Sequence, residues 1–156
     1  MIPIELQDEL AKRLKNLFKE TRLKNPKGDM VPLNVYTQHL PAKNKNNLSS
    51  EFPYILIRLA DGSDSDPQES QTAKILFIAG VFDRDDSHQG YRDAISIIQK
   101  TYESLKRNPV IDARFEMKYP INWAYHDEDS EPYFFAGLET NWEVPNALRE
   151  DVEAMI

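Results

Sequence analysis

The chain has 156 residues, 40% of them hydrophobic and 10% aromatic, which predicts one domain with a core and excludes a fully disordered chain. Its formal net charge of -7 argues against tight nucleic-acid binding, which needs clustered Lys and Arg. Cysteine is absent, so disulfides, thiolate zinc sites and cysteine nucleophiles are excluded together. The segment Met1–Glu5 becomes charged at once, and no apolar run approaches the roughly 20 residues of a membrane span. We therefore expect a soluble, cytoplasmic protein without a membrane partner.

The N-terminal part of the chain predicts a helix followed by a short extended segment. Apolar residues recur there at helical spacing: Leu6, Leu10, Leu14, Leu17 and Phe18. A helix is expected from about Pro3 to Thr21, because proline is well accommodated in a first turn. Val31–Leu40 reads as extended, and Pro32 predicts an edge strand or a strand start. The polar stretch near 41–51 is expected to be a flexible loop.

Two strands and a second loop follow. Phe52–Leu59 carries apolar side chains on both faces, which is typical of a strand in the middle of a sheet. The stretch 61–71 is rich in Ser and Asp and is expected to be flexible. Lys74–Phe82 is a nearly unbroken apolar run and predicts a buried strand.

A long amphipathic helix is predicted from about His88 to Arg107, because Asn108-Pro109 cannot continue it. Its expected buried stripe follows helical spacing. The residues of this stripe are Tyr91, Ala94, Ile95, Ile98, Tyr102 and Leu105.

The last third of the chain predicts further strands. Phe115–Lys118 and Ile121–Tyr125 look like short strands broken at Pro120, and Tyr133–Pro145 is a long aromatic strand. Its expected core face is Phe134, Ala136, Leu138, Thr140, Trp142 and Val144. Tyr133 and Phe135 then lie on the other face and need a cover, either a helix of this chain or another subunit. They are our candidate interface residues.

Together these elements predict an α+β fold within a single domain spanning 1–156. A mostly antiparallel sheet is expected, packed by an N-terminal helix and one long central helix. The flexible loops are expected near 41–51 and 61–71.

Motifs that bind phosphates or metals do not fit this sequence. The five glycines are spaced so that neither GxGxxG nor GxxxxGK[ST] can be written. His39, His88 and His126 fall in separate loops and read as solvated side chains. The acidic runs 61–66 and 83–87 lack the glycine that a calcium loop requires at its sixth position. We expect no metal ion and no cofactor.

The segment 112–118 permits one enzymatic interpretation. Asp112, Glu116 and Lys118 resemble the carboxylate and Glu-x-Lys pattern of magnesium-dependent nucleases, in which carboxylates hold the metal. Strand alternation places Glu116 and Lys118 on one face. Because Glu-x-Lys is a common tripeptide, an exposed ion pair is the favoured interpretation. Aromatic residues of the last strands, among them Trp123, are likewise favoured as core and interface over a ligand pocket.

Three segments resemble the tail terminators (tail-completion proteins) of long-tailed phages and prophages. They are FPYILIRLADG (52–62), AKILFIAGVFDRDDSHQGYRDAISIIQK (73–100) and PYFFAGLETNWEVP (132–145). The resemblance implies a small α+β subunit that forms a ring, usually a hexamer, capping the tail tube. The partners implied are further copies of the chain, the tail tube protein and a head-completion protein. It also implies a structural role without a reaction or a cofactor, in the cytoplasm of the bacterial host during assembly and then in the virion tail.

Two further points follow from this resemblance. A ring through which DNA slides should not bind phosphates tightly, so we hypothesise that one acidic loop approaches the opening. The candidate residues of the two loops are Asp61, Asp64, Asp66, Asp83, Asp85 and Asp86. Another neck or head–tail joining component of similar size remains the alternative, and a metal-dependent nuclease the remote one.

Overall fold

The computed structural model describes residues 2–41, 50–84, 89–126 and 132–146. Within these ranges the chain forms two helices and eight strands. They are α1 (Ile4–Leu17), β1 (Arg22–Lys24), β2 (Met30–Pro32), β3 (Asn34–Thr37), β4 (Tyr54–Ser63), β5 (Gln71–Phe82), α2 (Gly90–Arg107), β6 (Val110–Ile111), β7 (Phe115–Tyr125) and β8 (Tyr133–Val144). The predicted loop near 41–51 lies mostly outside the described residues, as do Asp85 and Asp86.

Six strands form one sheet in the order β3-β4-β5-β8-β7-β6, and β1 and β2 form a separate hairpin. Only β3 and β4 pair in parallel among these neighbours, and the remaining pairs are antiparallel. Both helices bury their apolar residues in the same hydrophobic cluster as one face of the sheet. The predicted α+β class, with a mostly antiparallel sheet and two helices, is confirmed.

The first helix ends earlier than predicted. Leu6, Leu10 and Leu14 are fully buried, as the spacing indicated, whereas Leu17 of the same set is 37% exposed. The helix α1 stops at Leu17 rather than near Thr21. The reason is that Arg22–Lys24 pairs with Met30–Pro32. The turn of this hairpin is held by the Asn25 carboxamide oxygen, which accepts hydrogen bonds from the backbone N–H groups of Lys27 and Asp29 at 3.0 and 2.9 Å.

The central strands confirm one prediction and correct another. β4 lies between β3 and β5, so its central position is confirmed. The single extended stretch predicted over 31–40 is divided: Pro32 ends β2 in the separate hairpin, and β3 is an edge strand of the six-stranded sheet. The predicted loop 61–71 is shorter in the structure. Asp61, Gly62 and Ser63 continue β4 opposite β5, because the ladder resumes after an irregularity at Leu59/Asp61. The connection between the two strands is therefore 64–70.

The core face of β8 is as predicted: Phe134, Ala136, Leu138, Thr140, Trp142 and Val144 are buried. Two of these residues carry polar atoms that need partners in the core. The Thr140 hydroxyl donates to the Ile75 carbonyl oxygen at 2.8 Å and accepts from the Trp142 indole N–H at 2.8 Å. Both polar groups are thereby satisfied inside the sheet.

The buried stripe of α2 differs from the predicted one. Ala94, Ile98 and Leu105 are buried as expected, but Tyr91 and Ile95 are 37% and 36% exposed. Ile97 and Thr101 are buried instead, because α2 packs over β5 and β8 with its Tyr91–Ile95 side toward solvent. Thr101 was overlooked because it is polar; its hydroxyl donates to the Ile97 carbonyl oxygen at 2.9 Å within the helix.

β7 is one strand rather than two. Its pairing with β8 is interrupted between Lys118 and Asn122, so the break expected at Pro120 is an irregularity inside a continuous strand. On its other side β7 pairs with β6 only at Phe115 and Glu116. Among the described residues, the part of β7 beyond Glu116 therefore has one neighbouring strand, which is β8.

Two matched substitutions test which face of α2 is buried against the sheet. Ile97→Ala removes buried methyl groups, so the free energy of unfolding should fall by about 2–4 kcal/mol. Ile95→Ala, on the partly exposed side, should cost less than about 1 kcal/mol. Urea unfolding followed by far-ultraviolet circular dichroism measures both. Equal losses for the two variants would contradict the placement of α2.

Candidate assembly surfaces

The sheet face opposite the helices carries an aromatic cluster, defined here as Tyr36, Phe52, Tyr54, Phe82, Tyr133 and Phe135. Their rings are close enough to interact: the centroids of Phe52 and Tyr133 lie 5.0 Å apart, and those of Phe82 and Tyr133 5.5 Å. Leu56 and Ile78 complete this second, smaller core. The domain thus has apolar packing on both faces of the sheet.

The two candidate interface residues belong to this aromatic cluster. Tyr133 and Phe135 are half-buried, and the ring of Phe52 lies over both, at 5.0 and 6.0 Å between centroids. Part of the cover that they need therefore comes from the segment preceding β4. The sequence-based alternatives were a helix or another subunit, and the use of Phe52 for this purpose was missed.

Tyr54 is the most enclosed hydroxyl-bearing member of the cluster, with 4% of its surface exposed. Its ring crosses β5 directly over Gly80, where an added Cβ atom would approach a ring carbon to 2.4 Å. A glycine is required there by this close approach. Burial, and then the charge of Glu51, raises the pKa of Tyr54 from 10.0 to about 12.

The last three residues of β4 and the β4–β5 connection form an acidic hairpin, defined as residues 61–70. It carries Asp61, Asp64, Asp66 and Glu69 and no basic residue. Its backbone is tied to the end of β8, because the Asn146 side-chain amide donates to the Glu69 carbonyl oxygen at 2.8 Å. The Gln71 side-chain amide donates to the Asp64 carboxylate at 3.0 Å. The hairpin is a surface of concentrated negative charge.

Asp83, from the second acidic loop, lies at the other end of β5. It directly follows Phe82, whereas the acidic hairpin adjoins Gln71, so the length of one twelve-residue strand, roughly 40 Å, separates them. The Asp83 N–H donates to the Pro132 carbonyl oxygen at 2.9 Å. Burial, and then the charge of Asp83, raises the pKa of Asp93 on α2. The two candidate acidic loops are therefore separate surfaces.

The residues of the nuclease interpretation are engaged in ion pairs. Glu116 and Lys118 share a face, as predicted, with 2.9 Å between carboxylate oxygen and ammonium nitrogen. Lys118 also contacts Glu143 at 3.2 Å, and hydrogen bonds first to Glu116 and then to Glu143 raise its pKa. The Asp112 carboxylate accepts from the Arg114 guanidinium at 3.0 Å. Within the described part of the chain, no group of three His, Cys, Asp or Glu residues could hold a metal ion.

An apolar groove lies on the helix side of the sheet, between α2 and β7, with a volume of about 460 Å³. Ile95, Ile98 and Tyr102 line it from α2, and Ile121, Trp123 and Leu138 line it from the strands. Trp123 stands at its rim with 72% of its surface exposed. Sequence reasoning missed this groove because it assigned Ile95 to the core.

No protein-family model matches the chain, and a comparison with curated proteins finds no match either. Neither of the described helices is long and apolar enough to cross a membrane.

The aromatic cluster should make the fold sensitive to alkali. Because the folded pKa of Tyr54 lies above 10.0, its contribution to stability is complete below pH 10 and is lost as the pH rises to about 12. Tyr54→Phe should therefore flatten the fall in the free energy of unfolding over this pH range, measured by urea unfolding. Tyr119→Phe, at a ring that is 71% exposed, serves as the control and should keep the original slope. An unchanged slope in Tyr54→Phe would contradict the assignment.

Proposed function

We propose that this chain is a non-enzymatic assembly subunit of a phage or prophage tail, of the tail-terminator type. In this role, copies of the chain form a ring that caps the finished tail tube. The ring contacts the tail tube protein on one side and a head-completion protein on the other. The subunit would act in the cytoplasm of the bacterial host and then in the virion tail.

The observation that carries this proposal is the exposure of large apolar side chains. Among the described residues, six are more than half exposed: Ile2, Ile4, Met30, Val110, Tyr119 and Trp123. Trp123 borders an apolar groove, and a groove with an exposed aromatic rim is typical of a surface that binds protein. Such surfaces are what an assembly subunit needs.

The segments that resemble tail terminators occupy the centre of the fold. Residues 52–62 form most of β4, residues 73–100 include most of β5 and the first part of α2, and residues 132–145 contain β8. The resemblance therefore concerns the framework of the sheet and the helix that packs on it. This distribution supports the proposed class of protein.

The acidic hairpin supports the part of the proposal that concerns DNA. Its four carboxylates without a basic partner in the hairpin repel phosphates, and a channel that DNA must traverse requires weak binding. Asp83 could serve the same purpose at the opposite end of β5. We propose that the acidic hairpin, which has the larger charge, faces the opening.

The ring is tested first by its mass and shape. Multi-angle light scattering at several concentrations should detect a closed oligomer of defined size, and negative-stain electron microscopy should show a central opening. Added to polymerising tail tube protein, the ring should stop elongation. A chain that remains monomeric and leaves tube length unchanged would overturn the proposal.

Charge in the opening is tested by substitutions that keep the hydrogen bonds of the hairpin. Asp61→Asn, Asp64→Asn and Asp66→Asn together should increase retention of duplex DNA by the ring at low salt, because three negative charges are lost. Asp83→Asn, which removes one charge at the other end of β5, is compared with Asp64→Asn alone and should leave retention close to that of the original chain. A larger effect from Asp83→Asn would assign the opening to the other end of β5.

The nuclease alternative has its own decisive measurement. Duplex DNA is incubated with the protein and magnesium, and with Glu116→Ala and Glu143→Ala variants, which each remove one carboxylate from Lys118. We expect no cleavage by any of the three. Magnesium-dependent cleavage that is abolished by Glu116→Ala and retained by Glu143→Ala would replace the structural role with an enzymatic one.

A further inference from the structure

The groove between α2 and β7 has an apolar floor and a cation at one end. Trp123 is 72% exposed and Ile95 36%, so the floor is open to solvent. The Lys106 ammonium donates to the hydroxyl of Tyr102, which lines the groove, at 3.2 Å. Among the described residues, Lys106 takes part in no ion pair. A segment that fits this groove therefore needs apolar side chains with a carboxylate beside them.

The charges along α2 decide which end of the groove attracts that carboxylate. At its start α2 carries Arg92 and Asp93, and Asp83 lies close enough to Asp93 to raise its pKa, after the larger effect of burial. Two carboxylates against one cation make this end repel a further carboxylate. Glu103, one turn before Lys106, accepts a hydrogen bond from a neighbouring side-chain amide at 3.1 Å. The attractive end is therefore the one at Lys106.

The start of α1 presents the features that the groove requires. Ile2 and Ile4 are 77% and 59% exposed, and the Ile4 N–H donates to the Ile2 carbonyl oxygen at 2.9 Å, which ties Ile2 to the start of the helix. Asp8 lies one turn after Ile4 on the same exposed side. In the part of the chain that the structure describes, Asp8 has no ion-pair partner. Ile2, Ile4 and Asp8 are called the α1 tip below.

The other described apolar side chains that are more than half exposed fit the groove less well. Met30 lies opposite Lys24 in the β1–β2 hairpin, so it would bring a second cation to the cationic end of the groove. Val110 is a single apolar side chain on a two-residue strand. Tyr119 and Trp123 belong to β7, which forms one wall of the groove itself. The α1 tip alone combines two adjacent apolar side chains with a carboxylate.

The α1 tip cannot fill the groove of its own chain. Ile2 borders the same small pocket as Ala73 of β5, whereas Leu138 of the groove pairs with Phe77, four residues further along β5. β7 lies two strands away from β5. These steps separate the two surfaces by roughly 15 Å, and the buried side chain of Leu6 holds α1 in place. The tip that enters a groove must therefore come from another copy.

We propose that the α1 tip of one copy binds in the groove of the next copy. Ile2 and Ile4 then pack against Trp123 and Ile95, and Asp8 pairs with Lys106. A contact between two different surfaces repeats from copy to copy in the same sense, which is what a closed ring needs. This inference rests on the proposed function and identifies the two surfaces of each subunit that join the ring.

Two variants that each remove one surface test the contact in the full chain. Ile4→Asp places a charge in the α1 tip, where an acidic residue suits the first turn of a helix, and Trp123→Asp places a charge at the groove. Both side chains are exposed, so circular dichroism should show that both variants fold. Each variant alone should remain monomeric by multi-angle light scattering at concentrations at which the original chain forms the ring. Met30→Asp and Val110→Asp, at exposed side chains outside the contact, are the matched controls and should keep the ring.

A mixture of the two variants distinguishes this contact from a symmetric one. The Trp123→Asp copy keeps an intact tip and the Ile4→Asp copy keeps an intact groove, so one contact can form between them and no further copy can be added. An equal mixture should therefore form a dimer and stop there. A mixture that stays monomeric, or either variant forming a dimer alone, would overturn the contact.

A charge swap tests the pairing of Asp8 with Lys106. Asp8→Lys and Lys106→Glu each set like charges against one another and should weaken the contact roughly fivefold, measured by analytical ultracentrifugation. Asp8→Lys/Lys106→Glu in one chain restores opposite charges and should recover the original association. Asp29→Lys and Lys100→Glu, at exposed positions outside the contact, change the net charge equally and should have no such effect. A double variant as weak as the single variants would contradict the pairing.

The contact and the proposed function can fail separately in these experiments. A ring that keeps its size in both Ile4→Asp and Trp123→Asp overturns the contact and leaves the function. A ring that both variants abolish, but that does not stop elongation of tail tube protein when intact, overturns the function and leaves the contact. An original chain that stays monomeric at every concentration overturns both.

Discussion

The pairing of β5 with β8 is the constraint on which the rest of this structure depends. The two strands match over twelve residues each, from Gln71 opposite Val144 to Phe82 opposite Tyr133. β8 alternates between half-buried and buried residues along its whole length, so a shift of one residue would move every buried side chain of β8 to the wrong face. The buried hydroxyl of Thr140 reinforces the register by joining the Ile75 carbonyl to the Trp142 indole. The other strands of the sheet continue from the outer edges of β5 and β8, and the helices and the aromatic cluster pack on its two faces.

The two faces of the sheet are completed differently. On one face the helices cover the main core, but α2 lies over β5 and β8 and leaves the groove beside β7 open. On the other face the aromatic cluster covers one end, with Phe52 over Tyr133 and Phe135. The remaining part of that face carries ion pairs such as Lys118 with Glu116 and Glu143. These pairs are exposed and contribute little to stability.

The acidic surface and the apolar surface lie on different parts of this molecule, and the proposed assembly role depends on both. The acidic hairpin concentrates four carboxylates at one end of the β4–β5 pair. The stretch of β7 from Tyr119 to Tyr125 borders the groove, contains no charged residue and includes the exposed indole of Trp123. One region is suited to repel phosphates, and the other is suited to bind protein.

Local patterns in the sequence determined much of the fold. Alternation in β8 predicted its buried face, because residues two apart in a strand must share a side. Helical spacing predicted the burial of Leu6, Leu10 and Leu14 in α1, and apolar residues on both faces predicted the central position of β4. Glu116 and Lys118 were correctly placed on one face for the same reason. These features depend only on neighbours along the chain.

The remaining features of the fold depend on contacts between segments that are far apart in the sequence. The choice of Ile97 and Thr101 over Tyr91 and Ile95 depends on where α2 lies across the sheet, since both sides of the helix carry apolar residues. The cover for Tyr133 comes from Phe52, eighty-one positions earlier in the chain. Among the described strands, β6 pairs with only two residues of β7, so most of that strand is paired with β8 alone. Periodicity determined which side chains share a face, whereas only the tertiary packing decided which of those faces are covered.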